Sequence, residues 1–373
     1  GILQNGIMGV ELNSNGGFGA TLMFQIPNYT KLIVSGLSFI NNTSSEAMHC
    51  SIGEGATATI EGCHVGVDIQ GGVVGANRKG IVGNISSTMF SGTELLKIGE
   101  PEFMLGYAHN ARNIISSNQD TQIELGVGAL IKNNFIGLNA IGDLLFPSSS
   151  KGIVYEDYNW MNAKVQIGGD SRYNANYIAG QDTAVYTKKS NNVHLINNFF
   201  GLKYDGTSNA PNVQGVVLEE GNNHTIVHNY LANCINSGNA ITLKNTDTVL
   251  IEKNHIGLTL DSSRAEIEGA GIEVLGSSGV DDGTTFVYGG RNTLKFNTIS
   301  SCNKAAIEYG LTDYFSVSNY AYVSSGVVYF NDEVKYNIIG YDTTNTNTFS
   351  NHKGIKINDS IQGVKIKNNI IGT

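Results

Sequence analysis

An asparagine followed two residues later by an apolar residue recurs through this chain, usually with a glycine after it. Asn134-Phe135-Ile136-Gly137, Asn198-Phe199-Phe200-Gly201, Asn254-His255-Ile256-Gly257, Asn337-Ile338-Ile339-Gly340 and Asn369-Ile370-Ile371-Gly372 share the pattern. Asn176-Tyr177-Ile178-Ala179, Asn229-Tyr230-Leu231-Ala232 and Asn297-Thr298-Ile299-Ser300 are looser copies. Aligned on the asparagine, the residue three places before it is apolar (Ile131, Leu195, Ile226, Ile251, Leu294, Ile366). So is the residue two places after it (Ile136, Phe200, Leu231, Ile256, Ile299, Ile339, Ile371). The column two places before is mixed: Lys132, Ile196, Val227, Glu252, Lys295 and Lys367. Period-two alternation buries the first two columns and exposes the third.

Between the asparagine blocks stands a second phrase, a small residue followed by β-branched and aliphatic ones. Gly152-Ile153-Val154-Tyr155, Gly215-Val216-Val217-Leu218, Ala240-Ile241-Thr242-Leu243, Gly271-Ile272-Glu273-Val274 and Gly354-Ile355-Lys356-Ile357 are its copies. One unit is therefore strand, asparagine turn, short strand, glycine-rich turn and strand, repeated every ~20–30 residues or a multiple. An antiparallel sandwich would need hairpin signals between strands, yet Asn-Gly and Asp-Gly occur only sporadically, as at Asn5-Gly6, Asp205-Gly206 and Asp282-Gly283. Asparagine tolerates left-handed backbone, and its amide bonds neighbouring backbone. Stacked at one corner, Asn134, Asn198, Asn229, Asn254, Asn297, Asn337 and Asn369 would form an amide ladder. The expected fold is all-β: a single-stranded right-handed parallel β-helix, a solenoid of roughly 13–16 coils with irregular loop insertions, about 60–80 Å long. Residues 128–373 carry the regular coils and 1–127 degenerate ones of the same solenoid.

The stretch 197–258 resembles right-handed parallel β-helix repeat proteins of secreted or surface-exposed bacterial type, whose coils run Asn-x-Ile-Gly-Thr-Asp, Gly-Thr loop, Gly-Val-x-Ile, Asn-Thr-Ile. Leu138, Leu202 and Leu258 stand where that pattern has threonine. The resemblance implies the fold and leaves the function open, since such coils serve enzymes, adhesins and viral spikes.

Composition narrows the partners. Charged residues make up 15%, with 46 glycines, 4 prolines and a net charge of −9, which argues against nucleic acid. No run of 18 apolar residues is present, so no membrane insertion is expected. Of the motifs expected in a polygalacturonase-type hydrolase, Asn245-Thr246-Asp247 and Asp281-Asp282 occur, but Gly-His-Gly does not. Asn245-Thr246 reads as repeat text aligned with Asn192-Val193 and Asn292-Thr293. Asp281 and Asp282, in a glycine-rich insertion, read as a solvated loop or cation ligands. Asp261, Glu266, Glu268 and Glu273 are the densest acidic group. No cofactor is required, and calcium is the cation to test. A lyase would need a base near carboxylates, and the exposed Lys132, Glu252, Lys295 and Lys367, with His228 and Lys253, offer scattered candidates.

Sugars stack on aromatic rings, so Tyr155, Tyr158 and Trp160, with Glu156 and Asp157, form the candidate glycan contact. A second aromatic group runs from Tyr309 to Tyr322. The function expected is a non-catalytic extracellular or cell-surface β-helix, structural or adhesive, with a polysaccharide or surface glycan as partner. The alternative is a polysaccharide lyase or glycoside hydrolase. Cys234 and Cys302 share a column two coils apart, with Thr259 between them, and so should be free thiols. Neither end reads as a cap, so other subunits or the rest of a longer chain are expected against the terminal coils.

Overall fold

The computed structural model describes the chain except residues 1, 5–6, 14–20, 73, 87–94, 100–110, 149, 157–162, 282–283, 289, 312–327, 343–347, 360 and 373. The chain is a parallel β-helix. Each coil contributes one strand to each of three sheets, which hold 13, 11 and 12 strands along their paths and are called sheets I, II and III here. One coil shows the plan. Val193–Ile196 lies in sheet II, Phe199–Phe200 in sheet I and Gln214–Glu219 in sheet III, and Thr225–Val227 returns to sheet II one coil on. Pairing along the stack is parallel, apart from Ile2–Gln4 with Ile7–Asn13 and a hairpin of Ile272–Asp281 with Thr284–Tyr288. Among the described residues, twelve strands of the longest sheet are paired in parallel.

The two apolar columns point inward as the alternation requires. Ile131, Leu195, Ile226, Ile251 and Leu294 in sheet II, and Ile136, Leu231, Ile256 and Ile299 in sheet I, are fully buried. Each such side chain stabilises the stack by about 1.5–3 kcal/mol relative to exposure. Sheet III adds Ile153, Val185, Val216, Ile241, Ile272 and Ile307 in register, facing the same core.

The asparagine ladder is present and longer than the strict motif shows. Nδ2 of Asn113 donates to Oδ1 of Asn134 (2.9 Å), Asn134 to Asn176 (2.8 Å), Asn176 to Asn198 (2.9 Å) and Asn198 to Asn229 (3.0 Å). It continues through Asn254, Asn297 and Asn337 to Asn369. Each rung also accepts a backbone N–H of the preceding coil, as Asn254 does from Asn229 (2.9 Å), and donates back to a strand carbonyl there, as to Ile226 (2.8 Å). The left-handed conformation falls on the residue before the ladder asparagine, not on the asparagine itself. Asn133, Asn197, His228, Lys253, Phe296, Tyr336 and Asn368 have φ of 56°, 56°, 58°, 55°, 57°, 57° and 53°. The corner is thus turned one residue earlier, which leaves the ladder side chain free to point into the stack. The motif glycine is equally constrained: at Gly257, φ is 73° and a Cβ would lie 1.8 Å from the Ser300 carbonyl oxygen.

Leu138, Leu202 and Leu258 open short loops closed by antiparallel bridges to Leu145, Asn209 and Arg264. All three leucines are fully buried, Leu138 and Leu202 in a second apolar cluster outside the coil, which explains why threonine does not serve there. All four cysteines are free and buried. Cys234 and Cys302 do lie two coils apart, but Ile267, not Thr259, stands between them. The loop between Leu258 and Arg264 shifts the count. Likewise Asn245-Thr246 does not align with Asn192-Val193. Val193, His224, Val249 and Asn292 each precede His194, Thr225, Leu250 and Thr293, which share one register column.

Candidate functional site

Three outer faces carry chemistry. On sheet I the first residues of successive short strands stack into an aromatic column. Tyr177 and Phe199 lie 4.6 Å apart at 2°, Phe199 and Tyr230 5.1 Å apart at 4°, and Tyr230 and His255 4.6 Å apart at 23°. Phe135, Tyr177 and Phe199 are buried beneath Leu138, Leu202 and Ala210, so most of this column is a core held by the loops. Burial depresses the His255 imidazole to about 4.

Sheet III presents a mixed polar stripe. Lys188 bridges Glu219 at 2.8 Å, and the Tyr186 hydroxyl donates to the same carboxylate at 3.1 Å. Lys151 sits 4.1 Å over the Tyr186 ring. Further along, Glu273 and Glu308 are cross-strand neighbours. Glu308 is paired with Lys356, whereas burial, reinforced by Glu308, pushes the Glu273 carboxyl up against the pull of Lys304 and Lys244. Asn239 donates to Glu273 at 2.8 Å. Two adjacent carboxyl groups, one of them raised by burial, are a pairing that acid–base chemistry can use.

The outer face of sheet II and its corner with sheet I form the third surface. Glu252, Lys295, Lys335 and Lys367 occupy one register column. Lys295 reaches Glu252 at 3.3 Å, and Lys335 pairs with Glu333. With Lys253 and Lys365 the patch holds five lysines against two glutamates, net +3 on a chain of net −9. Beside it, Phe296 and Tyr336 project from the corner, each 46% exposed. Their rings stack 5.3 Å apart at 10°, and Lys295 Nζ lies 5.8 Å from the Phe296 centroid. Both sit in left-handed backbone, where bulky residues are outliers costing about 1–3 kcal/mol each. Other coils place Asn133, Asn197 or Asn368 there. These are half-exposed aromatic rings, stacked on each other and held in left-handed backbone at the edge of a basic patch.

The residues singled out in sequence fare differently. Tyr155 is 1% exposed and points into the core, so its ring is closed to a sugar. Its column pairs Tyr155 with Thr187 and then Leu218, and the repeat alignment already set it level with Leu218, Leu243 and Val274. Glu156 is half-buried at the end of Lys151–Glu156, while Asp157, Tyr158 and Trp160 lie outside the described residues. Asp281 ends the strand Ile272–Asp281, and Asp282 lies outside the described residues. Tyr309, like Tyr155, is buried in the core, and its hydroxyl donates to Asp332 at 3.1 Å. The acidic group does not assemble. Glu268 accepts from the Ser237 amide, Glu266 from Asn303, Asp261 caps its own turn, and Glu273 lies on sheet III. Among the described residues no three metal-ligating side chains converge. Lys295, Lys367 and Lys253 were visible in sequence. Phe296 and Tyr336 were not, and the signal was a bulky ring in a column otherwise filled by Asn, His, Lys, Arg or Ala.

No family model and no curated protein matches the chain. Among solved structures it is similar to the periplasmic alginate epimerase AlgG, at 11% identity over 95% of this chain and 73% of that one, with a TM-score of 0.43. It is also similar to the A-module of the Azotobacter vinelandii mannuronan C-5 epimerase AlgE6, at 10% identity over 95% and 92%, with a TM-score of 0.31. These are likenesses of coiled architecture. Among the described residues no helix is long and apolar enough to cross a membrane.

Proposed function

We propose that the chain is an extracellular polysaccharide-binding β-helix, adhesive rather than catalytic, which takes an anionic glycan along the basic face of sheet II and its aromatic corner. The observation that carries this reading is the exposed, strained Phe296–Tyr336 pair beside the lysine column. Aromatic faces and lysines together suit a polymer with apolar sugar faces and negative substituents. The test is affinity electrophoresis against anionic and neutral polysaccharides, with and without calcium. Phe296→Asn with Tyr336→Asn places at both corners the residue that other coils use, so the fold is kept while the platform is removed. Binding should weaken at least tenfold. Unchanged binding by this variant would refute the reading.

A second reading, hydrolysis or lysis of a polysaccharide, is favoured by the Glu273–Glu308 pair on sheet III. It predicts release of reducing or unsaturated ends by the intact chain and loss of that release in Glu273→Gln. A product-free panel would exclude it.

A further inference from the structure

The corner that carries Phe296 and Tyr336 also carries two arginines, seven and five rungs from Tyr336. Arg112 immediately precedes the ladder residue Asn113, and Arg172 lies in the sheet II to sheet I turn of the Asn176 coil. At about 4.8 Å per coil, Arg112 and Tyr336 stand about 34 Å apart along one edge. The Arg112 guanidinium is packed 4.1 Å over the Phe135 ring and 4.7 Å over the Tyr204 ring. Its Nε and Nη2 both donate to Asn133 Oδ1, at 3.0 and 2.8 Å. Arg172 donates from Nε to the Tyr177 hydroxyl (3.3 Å) and from Nη2 to the Tyr204 and Asp205 carbonyls (3.4 and 3.3 Å). The Tyr177 and Tyr204 rings are 5.2 Å apart, and Tyr204 touches both arginines, Arg112 through its ring and Arg172 through its carbonyl.

Among the described residues neither arginine has a carboxylate within ion-pair distance. Asp205, whose carbonyl Arg172 contacts, turns its carboxylate into its own loop to accept the Thr207 and Ser208 amides at 2.7 and 2.8 Å. Two guanidinium groups whose Nη1 atoms make no hydrogen bond among the described residues thus share an aromatic frame on a chain of net charge −9. Among the described residues, neutral oxygens and π faces hold the forks without neutralising them. Such forks match planar oxyanions, and the contacts each already makes reduce the ordering entropy that binding costs.

Resting on the polysaccharide reading above, we infer that Arg112 and Arg172 form a clamp for an oxyanion substituent of the glycan, a uronate carboxylate or a sulfate ester. The polymer would then lie along the corner, parallel to the helix axis. The experiment is calorimetric titration of the full chain with three oligosaccharides of equal length: a polyuronate, its carboxyl-reduced neutral counterpart and a sulfated neutral chain. The variants are Arg172→Gln, Arg172→Lys and the Phe296→Asn/Tyr336→Asn pair, with melting temperatures recorded for each. The clamp requires one acidic oligosaccharide to bind at least tenfold more tightly than the neutral one. Arg172→Gln should abolish that preference, and Arg172→Lys should restore part of it. Preference for the uronate or for the sulfate ester names the substituent. Equal binding of acidic and neutral chains, or an unchanged preference in Arg172→Gln at wild-type melting temperature, overturns the clamp. Loss of preference in Arg172→Gln with intact affinity in the aromatic variant upholds the clamp and refutes the aromatic platform. The converse result refutes the clamp alone.

Discussion

Replacing Asn254 by alanine tests whether the ladder or the apolar columns hold the coils in register. Asn254 is fully buried. Its Oδ1 accepts from the Asn229 amide at 2.9 Å and from Asn229 Nδ2 at 3.1 Å. Its Nδ2 donates to Asn297 Oδ1 at 3.0 Å and to the Ile226 carbonyl at 2.8 Å. Truncation strips the acceptor from a buried backbone N–H, about 1–3 kcal/mol, and removes three further hydrogen bonds at about 0.5–1.5 kcal/mol each. The expected loss is about 2.5–7.5 kcal/mol, a large part of the stability of an ordinary domain. Asn369→Ala is the control. Asn369 makes the same bonds to Asn337 and to the Val334 carbonyl, but in a part-buried setting where water can replace them, so about 1 kcal/mol is expected. Urea unfolding followed by circular dichroism gives both numbers, and hydrogen exchange at the Asn229 and Asn297 coils localises the damage. A loss below about 1 kcal/mol at Asn254, or equal losses at both sites, would refute the ladder as the register device.

Buried His224 and half-buried His255 are depressed to about 3 and about 4 by desolvation. Folded pKa values below the unfolded 6.5 mean that stability is full above about pH 6.5 and falls toward pH 3–4. At pH 5 each costs about 2 kcal/mol, and His224→Val, which copies Val193 and Val249, should raise the melting temperature at pH 5 more than at pH 8. Asp332 has the opposite sign. Burial raises it to about 6, so its contribution favours the fold below about pH 4 and is lost as pH rises through 6. Asp332→Asn should therefore raise the melting temperature at pH 8 and change it little at pH 4. Burial pushes the Cys50 and Cys63 thiols up to about 12 and about 11, so a thiol reagent at pH 8 should leave the native chain unlabelled and modify all four cysteines in denaturant. Gly257→Ala, forced into left-handed backbone against the Ser300 carbonyl, should cost at least about 3 kcal/mol by the same urea assay.

The coil plan was legible because two signals of different period agreed. Alternation set Leu195 and Ile226 inward, and the asparagine fixed where each strand ended. The same alignment contained the fate of Tyr155, since a residue level with Leu218 and Val274 faces the core whatever its ring might do outside. What misled was local context, an aromatic and acidic cluster that looks like a loop. The Asn113 rung, Asn113-Ile114-Ile115-Ser116, has the form of the looser copy Asn297-Thr298-Ile299-Ser300 and was legible in the same way. Thr259 was misplaced because a loop insert is invisible to counting. The frame around Arg112 could not be read at all. Tyr204 reaches it from another coil, where its amide donates to the Gly142 carbonyl, and no periodicity links those residues.

The ladder has a further consequence for tolerance to insertion. Successive rungs are separated by as few as 21 residues, from Asn113 to Asn134, and as many as 43, from Asn254 to Asn297. The amide-to-amide bond is 2.9 Å in the first case and 3.0 Å in the second. Doubling the chain between rungs leaves the spatial step unchanged, and loop closure grows only logarithmically with length, about 0.6 kcal/mol per doubling. New segments can therefore be spliced into the turns between sheets without disturbing the coils above and below, provided that an asparagine resumes the stack. Surface chemistry and scaffold are free to change independently in such a chain.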